Sequence, residues 1–211
     1  MDLQGFDRLP VMGILRGVDP KAIPALIAAI ISSGLKTIEI ALNTKGAAGA
    51  LSRAVKISKG RLAIGAGTVL TMDALKSALD QGAGFIVMPT LVRDVVEYCA
   101  KKSIPVFPGA LTPHEIYNAW NAGATMVKVF PAKFFGPGYF KEIKGPFNDI
   151  RLLACGGVTS ENIKLFFESG ASAVAFGASI FRKEWLERNE FSRIEEAIKE
   201  LISKIGDKGD G

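Results

Sequence analysis

The residue with the greatest chemical potential in this sequence is Lys128, which lies inside the apolar run Met126-Val127-Lys128-Val129-Phe130. A run of this composition is typical of a buried parallel strand. Loss of hydration lowers the pKa of a buried lysine, so that part of its amine becomes neutral near physiological pH. A neutral amine attacks ketones to form a Schiff base, whose iminium accepts electrons when a carbon–carbon bond breaks. The alternative is a lysine whose ammonium reaches solvent at the strand end.

Three more polar residues interrupt or close apolar runs. They are Arg16, Glu39 and Thr68. Burying unpaired charges costs several kcal/mol per ion, so packing alone is a poor explanation for this set. The Arg16 guanidinium can bind a carboxylate through two parallel hydrogen bonds, with the Thr68 hydroxyl adding a third, which predicts an α-keto acid pocket. Glu39 can transfer protons; its carboxylate would also raise the pKa of Lys128 against desolvation, and the sequence leaves that balance open.

The elements that must position these residues form a regular series. Eight β-branched runs start 20 to 26 residues apart, and most gaps carry a helical pattern, as at Ala22–Ser33 and Leu91–Lys102; the helix around Tyr139–Lys144 is expected to be short. Continuous apolar runs that alternate with helices predict an α/β fold, a single-domain (β/α)8 TIM barrel. The predicted strands are Val11–Arg16, Thr37–Leu42, Ala63–Thr68, Phe85–Pro89, Pro105–Pro108, Met126–Phe130, Arg151–Cys155 and Ala173–Gly177.

An open doubly wound sheet is the structural alternative. It would more often show five or six strands with a glycine-rich fingerprint after the first, and Arg16-Gly17-Val18-Asp19 is no such fingerprint. We therefore assign residues 1–205 to the barrel and expect the polar, glycine-rich residues 206–211 to be a disordered tail.

Composition narrows the class of protein further. The net charge of +5 is scattered, without a basic block interleaved with aromatic residues, so nucleic acid is not an expected partner. Cys99 and Cys155 make neither a disulfide framework nor a zinc pattern, which favours a reducing cytoplasm. The longest apolar run, Ala22–Ile31, contains Pro24 and is too short to span a bilayer, so no membrane association is expected.

Two glycine-rich turns follow the last two predicted strands. Cys155-Gly156-Gly157-Val158 and Gly177-Ala178-Ser179 expose backbone N–H groups, and the second is expected to open a short helix around Ser179. Loops at these positions of a (β/α)8 barrel commonly bind phosphate, although tight packing alone could also require the glycines. By contrast, Thr112-Pro113-His114-Glu115 is a capping box, which gives the single histidine a structural explanation.

Several of these segments together resemble the class I 2-keto-3-deoxy-6-phosphogluconate (KDPG) and 4-hydroxy-2-oxoglutarate (KHG) aldolase family. The resemblance runs in order from about Leu9 to Phe181, nearly the whole barrel. The segments that carry it are Ile14-Leu15-Arg16-Gly17, Ile38-Glu39-Ile40, Ile64-Gly65-Ala66-Gly67-Thr68-Val69, Phe107-Pro108-Gly109, Lys128-Val129-Phe130-Pro131-Ala132 and Gly156-Gly157-Val158.

The resemblance implies a role for each matching residue. Lys128 would form the Schiff base and Glu39 would be the general acid and base, while Arg16 and Thr68 would bind the pyruvate carboxylate. The remaining implied contacts are Phe130 beside the keto acid, Pro89 at the pocket border, and Gly156, Gly157 and Ser179 on the phosphate. The family is trimeric and uses no metal or other cofactor, so a homotrimer acting on a phosphorylated keto acid is expected.

Two positions depart from the phosphogluconate branch of that family. Asn43 stands where that branch commonly has arginine, and Cys155 stands where it has threonine. Leu42-Asn43 and Ile14–Gly17 look more like the 2-keto-3-deoxy-6-phosphogalactonate (KDPGal) branch. Asn43 would weaken phosphate binding or shift it to backbone amides, and Cys155 would change what the substrate meets at C4. The expected reaction is cleavage of KDPG to pyruvate and glyceraldehyde 3-phosphate, with KHG as a further substrate and KDPGal as the alternative.

Two other functions are compatible with the same pattern. One is a phosphosugar isomerase, epimerase or synthase that uses the glycine turns for phosphate and forms no covalent intermediate. The other is a non-catalytic ligand-binding or assembly protein with a decayed site, against which the four polar strand residues count.

Overall fold

The strands of the computed structural model, which describes residues 1–205, form one parallel sheet. The residues assigned to the tail, 206–211, lie outside the described part. Within it the sheet order is β5-β4-β3-β2-β1-β9-β8-β7-β6, and every pairing is parallel. The strands are β1 Val11–Leu15, β2 Thr37–Ala41, β3 Ala63–Gly67, β4 Ile86–Val87, β5 Val106–Phe107, β6 Gly109–Ala110, β7 Val127–Val129, β8 Leu152–Cys155 and β9 Ala173–Phe176.

The two ends of this sheet are joined through a single residue, Pro108. β5 pairs with β4, whereas β6 pairs with β7. Pro108 has no backbone N–H to donate to a neighbouring strand. The Pro108 carbonyl accepts from the Lys128 backbone N–H at 2.8 Å. β5 and β6 are therefore two halves of the fifth barrel strand, and the predicted eight-stranded (β/α)8 barrel is confirmed with that strand divided.

Within residues 1–205, all helices except α1 (Leu3–Arg8) and α9 (Lys183–Glu187) bury apolar residues on the outer face of the barrel, where these pack with the outward side chains of the strands into one large cluster. α1 instead lies at the N-terminal end of the barrel. The helices are α1 Leu3–Arg8, α2 Ile23–Ser32, α3 Ala47–Ser58, α4 Met72–Asp80, α5 Arg93–Lys101, α6 Pro113–Asn121, α7 Gly136–Lys144, α8 Ile163–Glu168, α9 Lys183–Glu187 and α10 Phe191–Ser203, with a 3-10 turn at Ala132–Phe134. No helix within residues 1–205 is long and apolar enough to cross a membrane.

Two local expectations were wrong. α7 has nine residues, starting at Gly136, and is not short. At Ser179 the chain makes a single turn, in which the Ile180 and Phe181 N–H groups donate to the Gly177 carbonyl, instead of a helix. Arg182 is extended, with φ −66° and ψ 136°, and an extended residue ends that turn before a helix can propagate.

The capping box at the start of α6 is confirmed. The Thr112 side chain accepts from the Glu115 backbone N–H, and the Glu115 carboxylate accepts from the Thr112 N–H. His114 lies exposed in the first turn, with its Nε2 2.9 Å from the Asn118 amide nitrogen.

The barrel interior is apolar at its N-terminal end and polar at its C-terminal end. The Phe6 ring of α1 closes the N-terminal end and meets the Phe107 ring edge-on at a centroid distance of 6.2 Å. Phe85 packs on Phe107 from the other side at 5.8 Å, in space left by Gly65, where a Cβ would lie 2.3 Å from the Phe85 ring. These three rings separate a polar group at the C-terminal end of the barrel from solvent at the N-terminal end.

Gly109 provides a test of barrel closure. A Cβ at this position would lie 2.2 Å from the Pro89 carbonyl carbon and oxygen, which are backbone atoms that cannot move aside cheaply. We expect Gly109→Ala to lower the free energy of unfolding by about 2 kcal/mol or more in urea titrations. Gly49→Ala is the matched control: Gly49 lies in α3 with no atom within 4 Å of its added Cβ, so it should be neutral or stabilising by about 0.5–1 kcal/mol. Equal effects at the two positions would contradict this account.

Candidate active site

Lys128 and Glu39 face each other inside the barrel. Neighbouring strand residues alternate between faces, and Val127 and Val129 belong to the outer cluster, so Lys128 points inward. The same alternation turns Glu39 inward between two outward isoleucines. The Lys128 Nζ lies 3.8 Å from the Glu39 Oε1, with the two side chains 8% and 2% exposed. The other carboxylate oxygen, Oε2, is buried without a hydrogen-bond partner in the described residues.

Glu39 is an unusual carboxyl group because it is almost completely buried. Burial raises its pKa, since the carboxylate loses its hydration, and the positive charges of Lys128 and Arg16 offset this only in part. A raised pKa is what a general acid and base needs in order to hold and release a proton near neutral pH.

The pKa of Lys128 is raised, which gives the direction of the balance between desolvation and the Glu39 charge that the sequence leaves open. Burial is the largest influence and lowers the pKa, but the Glu39 carboxylate and the Cys155 thiol together outweigh it. When Glu39 is protonated, its charge no longer offsets the burial that lowers the pKa of Lys128, so the neutral amine is favoured more than when Glu39 is ionised. The titrations of the two groups are therefore linked.

Arg16 follows β1 at the C-terminal rim. Its Nη1 donates to the Asn43 Oδ1 at 2.6 Å, and its Nη2 lies 3.5 Å from the Thr68 Oγ1. Thr68 has φ +61°, a conformation uncommon for a threonine, and such strain is often found at functional sites. The structure thus brings the predicted carboxylate-binding pair together and adds Asn43, which was expected on the substrate, as a hydrogen-bond partner of Arg16.

Cys155 lines the same interior. It ends β8 on the inward face, two residues beyond Leu153, which is the register partner of Lys128. Burial raises the pKa of its thiol to about 11, although the adjacent Lys128 lowers it in part, so the thiol is neutral in the resting site.

Gly67 is a residue of the site that sequence reasoning missed. A Cβ there would lie 2.7 Å from the Glu39 Oε1, so glycine makes the room that the carboxyl group occupies. The signal was present in the sequence, because two glycines in the short strand Gly65-Ala66-Gly67 indicate a close approach by other atoms.

Phe130 and Pro89 lie at the barrel mouth. The Lys128 Nζ is 5.5 Å from the centroid of the Phe130 ring, which is partly exposed. Phe130 and Pro89 share a cavity of about 150 Å³ with residues that include Gly109 and Glu115. A larger cavity of about 610 Å³ lies at the N-terminal end of the barrel, lined by Phe6, which is the end opposite the reactive groups.

The two glycine-rich turns lie side by side at the rim. Gly156 and Gly157 have φ of +92° and +85°, and the Ser179 Oγ donates to the Val158 carbonyl at 2.8 Å. In residues 1–205, no acceptor receives the backbone N–H groups of Gly156, Gly157, Ala178 and Ser179. Adjacent free N–H groups of this kind form an anion-binding concavity.

The described residues contain no group of three or more histidine, cysteine or carboxylate side chains arranged to hold a metal ion. The polar groups of the interior are instead an amine, a carboxyl group, a thiol and a guanidinium at its rim.

Fold and site together define a (β/α)8 barrel with a buried amine paired with a buried carboxyl group. The sequence-family model described as "KDPG and KHG aldolase" matches residues 4–197. This chain belongs to that aldolase family. The predicted fold and the predicted activity as a carbon–carbon lyase are thereby confirmed.

Individual relatives support the same assignment. The 2-dehydro-3-deoxy-6-phosphogalactonate aldolase of Escherichia coli (strain K12) is 33% identical over 85% of this chain and 88% of its own length. The 2-dehydro-3-deoxy-phosphogluconate aldolase of Pseudomonas aeruginosa is 30% identical over 94% and 89%.

Solved structures agree with these relatives. The structure described as "Native KDPGal structure" has a TM-score of 0.87 and 30% identity, covering 93% of this chain and 94% of its own. The KDPG aldolase of Legionella pneumophila, with pyruvate captured at low pH as a covalent carbinolamine intermediate, has a TM-score of 0.83 and 26% identity, covering 93% and 95%.

The coupling between Lys128 and Glu39 predicts a shift in pH dependence. Glu39→Gln removes the carboxylate that raises the pKa of Lys128 and leaves the burial that lowers it, so that pKa should fall. Neutral amine then persists to lower pH. We expect Glu39→Gln to trap pyruvate with borohydride at a lower maximal rate than the wild type. The midpoint of its plot of trapping rate against pH should lie at lower pH. Glu39→Asp, which keeps the charge, should leave the midpoint closer to the wild-type value; an unchanged midpoint in Glu39→Gln would contradict the coupling.

Proposed function

We propose that this protein is a class I aldolase that cleaves KDPG to pyruvate and glyceraldehyde 3-phosphate through a Schiff base on Lys128. The observation that carries the proposal is the 3.8 Å approach of the Lys128 Nζ to the Glu39 carboxylate, with both side chains buried. A buried amine beside a carboxyl group with one unpartnered oxygen is suited to carbinolamine and enamine chemistry.

Arg16 and Thr68 bind the C1 carboxylate of the substrate in this proposal. Their terminal groups point to the same place at the rim. The guanidinium offers parallel donors to a carboxylate, and Asn43 holds it by one nitrogen. With the carboxylate fixed there, the C2 ketone extends toward Lys128 and the Phe130 ring.

Schiff-base formation begins with proton transfer from the Lys128 ammonium to Glu39. The neutral Nζ then bonds to C2 while the carbonyl π bond breaks, and the carbonyl oxygen takes the proton from Glu39. The adduct nitrogen then gives one proton to the Glu39 carboxylate, which leaves the neutral carbinolamine. Glu39 passes that proton to the carbinolamine hydroxyl, the C–O bond breaks with loss of water, and the nitrogen lone pair forms the C=N bond of the iminium. Glu39 both accepts and donates protons in these steps. The pKa of Glu39 and the pKa of Lys128 are both raised, which allows a proton to move between the two groups.

Carbon–carbon cleavage uses the same carboxylate. Glu39 removes the proton from the C4 hydroxyl, the C3–C4 bond breaks, and its electron pair moves into the iminium to give the enamine. Glyceraldehyde 3-phosphate leaves as the aldehyde product. Glu39 returns a proton to C3, and water hydrolyses the iminium to release pyruvate and regenerate the amine.

The two glycine turns bind the C6 phosphate. Their free N–H groups, from Gly156, Gly157, Ala178 and Ser179, support this assignment. The Ser179 hydroxyl would exchange its bond to the Val158 carbonyl for one to a phosphate oxygen. Carboxylate and phosphate are then bound at different points of the rim, with Lys128 between them.

KDPGal is a second candidate substrate. Asn43 and Cys155 differ from the phosphogluconate branch, and relatives of both branches match this chain at similar identity. Cys155 lies beside Lys128, where it would face the C4 end of the bound substrate. KHG is a further candidate, since it would use the carboxylate and Schiff-base groups without the phosphate turns. Comparing kcat/KM on KDPG, KDPGal and KHG distinguishes the three.

A homotrimer in the cytoplasm, without nucleic-acid or membrane partners, is part of the proposal. Phe134 is 72% exposed and Phe135 57% exposed, and large exposed apolar side chains are common where subunits meet. Both described cysteines are free, as in a reducing compartment. We expect light scattering to give three times the chain mass; a monomer would contradict the trimer without affecting the chemistry.

Covalent trapping tests the proposed function directly. Incubation with pyruvate and borohydride should add a stable pyruvyl group to Lys128, located by mass spectrometry of peptides. Lys128→Met should show no trapping and no turnover, because no other described amine lies beside Glu39. Lys128→Arg is the charge-preserving control and should be equally inactive, because a guanidinium is always protonated.

The other outcomes of this experiment correspond to the other functions. Turnover without trapping, or with an active Lys128→Arg variant, would favour a non-covalent phosphosugar isomerase or epimerase. Binding without turnover, and without exchange of pyruvate methyl protons in deuterated water, would favour a non-catalytic protein. Label on another lysine would overturn the assignment of Lys128.

A further inference from the structure

The two glycine-rich turns, Cys155-Gly156-Gly157-Val158 and Gly177-Ala178-Ser179, are called the phosphate turns below, and they contain no charged side chain. A phosphate monoester carries close to two negative charges at neutral pH, whereas backbone N–H groups supply only partial positive charge. Arg16 is assigned to the substrate carboxylate, and its guanidinium donates to the neutral Asn43 side chain, so it does not balance the phosphate charge. A cation beside the turns would therefore add attraction for phosphate that the N–H groups do not supply.

Lys133 lies directly against the turn that carries the free N–H groups. A Cβ on Gly157 would be 2.5 Å from the Lys133 Cβ and 3.3 Å from its Cα, so glycine is needed at 157 for the two loops to touch. Lys133 lies in the 3-10 turn Ala132–Phe134, which follows β7, the strand that carries Lys128. One loop thus places a lysine beside the phosphate turn within a few residues of the proposed Schiff-base lysine.

Lys133 is also free to bind an anion. Its side chain is exposed, and among residues 1–205 its ammonium has no hydrogen bond or ion pair and contacts only the Phe134 ring, whose centroid lies 5.0 Å from Nζ. A contact between an exposed lysine and an aromatic ring is weaker than a charge-assisted hydrogen bond to phosphate, so a phosphate would displace the ring.

The other cations near the turns are already engaged. The Arg182 guanidinium stacks 4.5 Å from the Trp185 ring centroid, and its Nε donates to the Ser179 carbonyl. Lys183 pairs with Glu187 at 3.6 Å. Lys133, by contrast, lies against Gly157, and its ammonium has no hydrogen-bond or ion-pair partner among residues 1–205.

We propose that Lys133 determines specificity for phosphorylated substrates, by binding the phosphate of the aldehyde half together with the N–H groups of Gly156 and Gly157. This inference rests on the proposed aldolase function. It adds a residue that compensates for the missing charge at Asn43, and it predicts that the protein discriminates between aldehydes by their phosphate more than by their carbon chain.

The condensation reaction provides the test, because the aldehyde can be varied while pyruvate is kept constant. We expect Lys133→Met to raise the KM for glyceraldehyde 3-phosphate about tenfold, the loss expected of one charge-assisted contact, with kcat little changed. The KM for unphosphorylated glyceraldehyde should stay at its wild-type value. Lys133→Arg should retain most of the preference, and Lys141→Met, which removes an exposed lysine of α7, should behave as wild type.

Other results would overturn the inference. They are an equal loss on both aldehydes, no loss on either, or a loss in Lys133→Arg as large as in Lys133→Met. Pyruvate trapping on Lys128 is measured in every variant. If the wild type shows no trapping, the proposed function fails; if trapping is intact and the two aldehydes are affected alike, only the role of Lys133 fails.

Discussion

The structure depends on one electrostatic constraint, the burial of an amine and a carboxyl group within 3.8 Å of each other in an otherwise apolar barrel. Two isolated charges could not be kept there, because the loss of hydration costs several kcal/mol for each ion. As a pair the two groups offset part of that cost for each other, and the protonation of one changes the pKa of the other. The chemistry proposed for the site uses this property, since each step of Schiff-base formation and cleavage moves a proton between Glu39 and the substrate.

The rest of the barrel serves to hold that pair dry and in place. Phe6, Phe85 and Phe107 fill the N-terminal end, so water cannot reach the pair from below. Gly67 leaves the space for the Glu39 carboxyl group, and the division of the fifth strand at Pro108 aligns Lys128 through a backbone hydrogen bond. Rigid support of this kind fixes the distance between reacting groups, on which proton transfer depends.

The rim adds specificity to this fixed centre. Arg16 is held by Asn43 and lies near the strained Thr68, which favours a carboxylate at one point of the rim. The paired glycine turns offer uncharged donors at another point, with Lys133 beside them. Because these groups sit on loops, they can differ between family members without disturbing the strands that carry Lys128 and Glu39. Relatives of both phosphosugar branches match the chain at similar identity, 33% and 30%.

The sequence alone determined the barrel and its four polar strand residues. Eight apolar runs at regular spacing specify parallel strands, and a charged residue within such a run is visible because its burial is costly. Only the tertiary structure decided how those residues act on one another. The pKa of Lys128 is raised because Glu39 and Cys155 approach it from other strands, and Asn43 binds Arg16 because two loops meet. The single turn at Ser179 and the contact of Lys133 with Gly157 likewise depend on distances across the barrel, which local sequence patterns do not encode.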